Sequence, residues 1–99
     1  MSATANYFWT KKQDDGTIRI GLSDAGVDDL GKINFADVPA TGTKLTTDGP
    51  FVSVEAEKAV SDLPSPLTGV ISQINPALSE GPEALNSGNL TDRWFVDVK

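Results

Sequence analysis

The sequence predicts an all-β fold with one to three short helices, closed as a flattened barrel or sandwich, in a single domain over 1–99. Short runs of alternating apolar and polar residues recur along the chain. Clusters of Gly, Pro, Asn and Asp separate them at spacings of about 8–12 residues, the rhythm of sandwiches and barrels. No stretch sustains a long helical period.

The elements follow in order. Asn6 to Lys12 is the first strand candidate, rich in aromatics (Tyr7, Phe8, Trp9) and closed by the turn QDDG. TIRIGL sets Ile18, Ile20 and Leu22 on one face and Thr17 and Arg19 on the other. Ser23 as N-cap and Gly31 as stop frame a short helix from Asp24 to Leu30. Lys32 to Val38 returns to period two, with Ile33 and Phe35 expected on the same side, and Pro39 and Gly42 then make a turn. Asp48, Gly49 and Pro50 make another, before a strand from Phe51 to Glu57 that buries Val52, Val54 and Ala56. Ala59 to Leu63 is its return, confined to an edge or a strand end by Pro64 and Pro66. Gly69 to Ile74 is a further strand, and Pro76 and Pro82 open two short helical stretches. WFVDVK closes the sheet, with Trp94, Val96 and Val98 expected on one face.

Composition excludes several function classes. The chain has 99 residues, 38% of them hydrophobic, enough for one core but not for two. It contains no cysteine and no histidine, which removes disulfides, thiol nucleophiles, histidine-based triads and ordinary zinc sites. The pairs Asp14-Asp15 and Asp28-Asp29 lack calcium-loop spacing, and no glycine-rich phosphate loop is present. A net charge of −6 without any basic cluster argues against nucleic acid and against anionic lipid. No apolar run is long enough to span a bilayer, and the first residues do not read as a secretory signal, so the expected location is the cytoplasm, as a monomer. Asn89-Leu90-Thr91 matches a glycosylation sequon, which without a secretory signal reads as a loop coincidence.

One lysine remains. Lys58 stands where the strand ending VEAE turns back into AVSDLPSP. On its own, a lysine at a hairpin tip is an ordinary solvated residue. Its neighbours set it apart: VEAEKA resembles the VE-x-x-KA signature of lipoyl domains, in which the lysine is amide-linked to lipoate. Glu57 and Ala59 flank it where biotin carriers have methionines, so the resemblance implies lipoate rather than biotin. Glu55 and Glu57 belong to the same attachment motif; a free amine has to be generated inside a modifying enzyme, and the acid has to arrive activated.

The likeness extends further. IGLSDAGVDDLGKINFADVPATG and EKAVSDLPSPLTGVISQIN, together with Leu78, Pro82, Leu85, Asn86 and Trp94, resemble the glycine cleavage H-protein family over about Trp9 to Val98. That resemblance implies a non-enzymatic carrier whose covalent lipoate visits partner enzymes after a lipoate ligase or lipoyltransferase has attached it. Family members read HEWV near the start, and their glutamate there helps hold an amine-bearing arm with an aspartate that corresponds to Asp62. Phe8 replaces that glutamate, so half of the pair is present. Asp62 is therefore expected to orient the arm or its cargo, or else to make only a hydrogen bond to the nearby turn. The ANYFW start, VEAEKAV and the LNS…W ending look more like a shorter H-like branch, linked with lipoate ligases, sirtuin-type ADP-ribosyltransferases and macrodomain hydrolases. In that branch Asp28 matches an ADP-ribose acceptor, against the simpler reading of a solvated helix carboxylate. The resemblance thus implies lipoate relay within a redox-responsive ADP-ribosylation system. The glycine-cleavage H-protein is the first alternative and an unmodified binding module the second.

Overall fold

The computed structural model describes residues 7–99; Asn6, the expected first residue of the first strand, lies outside them. Two antiparallel sheets face each other. One has five strands in the order β1 (Phe8–Lys12), β2 (Ile18–Leu22), β8 (Trp94–Val98), β7 (Gly69–Ile74) and β4 (Lys44–Leu45). The other has three, β3 (Ile33–Asp37), β5 (Pro50–Ala56) and β6 (Val60–Pro64), with β3 and β6 at its edges. β4 is too short for period two to reveal, so the sequence reads through it as loop. β6 lies at an edge and ends on Pro64, where a missing N–H interrupts no ladder.

The inward residues of both sheets form one core. Ile20, Leu22, Ile71, Phe95, Val96 and Val98 come from the larger sheet, and Ile33, Phe51, Val52, Val54 and Leu63 from the smaller. Leu30 and Leu85 close its ends from the helix and from a 3-10 turn. Alternation places Ile20, Leu22, Val52 and Val54 inward as expected, and Phe51 joins them because the register shifts between Pro50 and Val52.

Helix α1 (Asp24–Leu30) has the predicted bounds and caps. Ser23 Oγ accepts from the Gly26 N–H at 3.1 Å, and Gly31 ends the helix at φ 74°, where a side chain would be strained. Three 3-10 helices follow at Pro76–Glu80, Glu83–Asn86 and Leu90–Asp92, the first two beside the prolines that mark them in the sequence. At the third, Asn89 Oδ1 accepts from the Thr91 N–H and hydroxyl, so the sequon asparagine acts as a cap.

Two expectations fail for the same reason. Ile33 pairs with Ala56 but Phe35 pairs with Glu55, so Asn34 is an extra residue on β3. This bulge turns Phe35 outward, 55% exposed, while Ile33 stays buried. In β8, Val96 pairs with Ile20 but Trp94 pairs with Gly21, so Phe95 is the extra residue. Phe95 enters the core, and Trp94 moves to the outer face instead of sharing one with Val96 and Val98. There the Arg19 guanidinium lies 3.7 Å from the centre of its ring and pairs with Asp97 at 2.8 Å.

Candidate functional site

The β5–β6 hairpin presents Lys58. Register runs from Val52 opposite Leu63, through Ser53 opposite Asp62 and Val54 opposite Ser61, to Glu55 opposite Val60. The Ala56 N–H then donates to the Ala59 carbonyl at 2.9 Å, leaving Glu57 and Lys58 as the two residues of the turn. Val52 and Val54 bury the inner face of this hairpin and so fix which residues point outward.

The tip is braced from outside the hairpin. The Glu57 N–H donates to the Lys32 carbonyl at 2.9 Å, and the Lys58 N–H to the Leu30 carbonyl at 3.1 Å. Both acceptors flank Gly31, where a Cβ would stand 3.2 Å from Glu57 Cβ and 3.4 Å from Lys58 Cγ. Glycine thus lets α1 approach the turn closely. The exposed Lys58 Nζ donates to the Asp28 carbonyl at 2.8 Å. That carbonyl belongs to the last turn of α1, which has no basic residue of its own, so the lysine of the hairpin serves as its C-terminal cation. The residue is nonetheless exposed on a rigid base, so its primary amine can be reached for attachment of a carboxylic acid once that hydrogen bond is released.

The other expected residues are not all gathered there. Glu55 and Glu57 are exposed beside Lys58, and Ala59 is partly buried against the core. Asp28 exposes its side chain on α1, adjoining the tip only through its backbone carbonyl. Asp62 lies roughly 13 Å along the strand from Lys58. It accepts from Ser53 Oγ at 2.6 Å, a bond across the hairpin rather than to a turn. It also lines a surface cleft of about 430 Å³ with Asp48, Phe51, Ser53 and Pro64. Phe8 packs away from solvent chemistry, in a three-ring cluster with Phe51 at 5.4 Å and Phe95 at 5.9 Å between centroids. The wall that Phe51 gives the cleft is therefore backed by an apolar residue.

The sequence marks Asn86 only through the family likeness, without its structural role, and does not single out Arg93. Asn86 donates to the Ile33 carbonyl at 2.9 Å and accepts from its N–H at 2.7 Å, imitating a neighbouring strand beside the bulge. The buried Arg93 holds the Leu22 and Ser87 carbonyls and the Asp24 carboxylate, tying β2 to the start of α1. A lone arginine after a Thr-Asp pair carries no sequence signal of that role.

Comparisons with known proteins point to one family. The family model described as glycine cleavage H-protein matches residues 1–99. A glycine cleavage system H protein of Nitratidesulfovibrio vulgaris is 41% identical over 96 residues, which cover 97% of this chain and 75% of that protein. Those of Oceanobacillus iheyensis and Aliivibrio fischeri are 40% and 38% identical, over 89% and 100% of this chain and 70% and 79% of their own lengths. The crystal structure of a glycine cleavage system H protein from Mycobacterium marinum superposes with a TM-score of 0.82 at 26% identity, covering 98% of this chain and 79% of that one. By its sequence and by its fold, this chain belongs to the glycine cleavage H-protein family.

Proposed function

We propose that 1–99 works as one lipoyl-carrier domain, with lipoate amide-linked to Lys58, serving as the H-protein of glycine cleavage. The exposed Lys58 amine on a turn braced by α1 carries this reading. Members of this family are carriers, not catalysts, and hold lipoate covalently on a lysine. Attachment forms an amide between Nζ and the carboxyl carbon of an activated acid; the activating group leaves and the ammonium gives up two protons. The lipoyl dithiolane supplies the redox and group-transfer chemistry, which suits a chain without cysteine. The chain supplies the amine, the rigid hairpin beneath it and the surface that partners read. Its expected partners are a lipoate ligase or lipoyltransferase and the glycine-cleavage enzymes, in the cytoplasm; no helix among the described residues is long and apolar enough to cross a membrane. Asp62, in the cleft beside Phe51, is the residue we assign to arm or cargo contact.

Intact mass after co-expression with a lipoate ligase tests the assignment. We expect one lipoyl addition that Lys58→Arg abolishes; lipoylation that survives this substitution overturns it.

Phe8 favours a second reading. A phenylalanine committed to the Phe51–Phe95 cluster offers no carboxylate to an amine-bearing arm. That suits the short H-like branch, in which the arm relays lipoate or answers to ADP-ribosylation at Asp28, added by a sirtuin-type transferase and removed by a macrodomain hydrolase. A reconstituted glycine exchange assay separates the two: robust exchange supports the glycine-cleavage role, and its loss with lipoylation intact supports the other.

A further inference from the structure

Phe35, Glu55 and Val60 form one row across the three strands of the smaller sheet, since Phe35 pairs with Glu55 and Glu55 with Val60. Asp37, Ser53 and Asp62 form the next row on the same face. Directly paired residues point to the same side, and this side is away from the core: Phe35 is 55% and Val60 78% exposed. Two large apolar groups therefore stand roughly 10 Å apart, with a carboxylate between them. The row lies next to the turn that holds Lys58. Scattered surface hydrophobics are ordinary, but this pair is aligned, and Phe35 is there only because the bulge at Asn34 turns it out of the core. The two rows contain three carboxylates, Asp37, Glu55 and Asp62, and no base.

We propose that this outer face is the docking surface for the enzyme that loads Lys58, whose matching surface offers an apolar contact for Phe35 and Val60 framed by basic side chains. Charge complementarity and continuity with Lys58 select that occupant: whatever acylates Nζ has to cover the tip, and the rows run directly down from it. The aromatic supplies anchoring area and the carboxylates supply steering and register. Glu55 sits between the two apolar groups, so a partner that buried them without a cation opposite would strand its charge.

The inference rests on lipoylation at Lys58, and the experiment separates the two claims. Full-length chain is titrated into a lipoate ligase supplied with lipoate and ATP, and loading is followed by intact mass. We expect the double substitution Phe35→Ser with Val60→Thr to raise KM about tenfold or more while kcat stays within about twofold. Val70→Thr, at an exposed apolar residue of the other sheet, leaves KM unchanged. Phe35→Tyr keeps the ring and restores most of the affinity. Asp37→Asn makes the apparent affinity for the ligase less sensitive to salt. Thermal melting verifies that each variant is folded. Loading of the double variant at the wild-type KM, or a loss confined to kcat, overturns the docking face while leaving the carrier reading intact. A wild-type chain that no ligase modifies overturns both.

Discussion

The two bulges use the same backbone device to opposite ends. In β8 the extra residue, Phe95, goes inward, fully buried against Phe8 and Phe51, and the displaced Trp94 is covered by Arg19. In β3 the extra residue is the polar Asn34, and the displaced Phe35 is left with more than half its surface in water, at 55% exposure. The first bulge improves the fold, because an aromatic gains a core and its neighbour gains a cation. The second leaves an apolar ring in water and brings only the smaller, partly buried Ala36 and Val38 against the core. The exposed ring lies on the face adjoining Lys58, where it suits recognition.

The contrast breaks most readily at its closed end. Phe95→Ala removes the most deeply buried ring of the three-ring cluster and should destabilise by about 3–5 kcal/mol, measured by urea unfolding. Phe35→Ala should change stability by only about 0.5 kcal/mol or less. Equal costs would mean that Phe35 packs as Phe95 does, and the distinction would fall.

Asn86 sharpens the second bulge. Its side chain satisfies both backbone groups of the buried Ile33, immediately before the extra residue. Asn86→Ala leaves them without that partner, at an expected cost of about 1–3 kcal/mol. Amide exchange at Ile33 should quicken with it, while exchange across β8 stays unchanged. Unaltered exchange at Ile33 would show that the bulge holds itself without the brace.

Gly31→Ala tests the other support of the tip. The substitution strains a residue at φ 74° and presses a methyl towards Glu57 and Lys58. It should cost about 1–2 kcal/mol, and the Glu57 and Lys58 amides should lose exchange protection. Protection that persists would show that the turn is fixed by its own strands alone.

Much of this was legible in the sequence, for reasons that also mark the limit. Periodicity located β2 and most of β5 because Ile18–Leu22 and residues 52–56 alternate, and Ser23 and Gly31 bounded α1 because caps are local chemistry. Lys58 could be found because its neighbours form a motif. Phe35 and Trp94 were misplaced because a bulge inserts one residue, and nothing in INFAD or WFVDV distinguishes an inserted residue from an alternating one. The bonding roles of Asn86 and Arg93 were not legible because their partners, Ile33 and Leu22, are distant in sequence.

The smallest expected effect concerns the polar lattice that supports the closed bulge. Asp97, three residues beyond Trp94 on its outer face, accepts from Arg19 at 2.8 Å and from Gln13 at 2.8 Å, and Gln13 reaches Thr17 at 3.2 Å. Thr17 is held by Asp15, whose carboxylate accepts from its hydroxyl at 2.6 Å and its N–H at 3.0 Å. These bonds, the hydroxyl first, hold the Asp15 carboxyl below its ordinary value of 3.8. The folded state thus binds this proton less readily than the unfolded one. The stabilisation is complete above the ordinary value and is lost as pH falls through the folded one. Asp15→Asn removes this dependence, so the urea midpoint of the wild type should exceed that of the variant near neutrality. The gap should close as pH drops below 3.8. Exchange at the Thr17 amide should follow the same course, while the amides of β3 stay indifferent to the substitution. A gap that is constant with pH would mean that Asp15 contributes shape but not charge, and that the closed bulge rests on Arg19 and Asp97 without help from the turn.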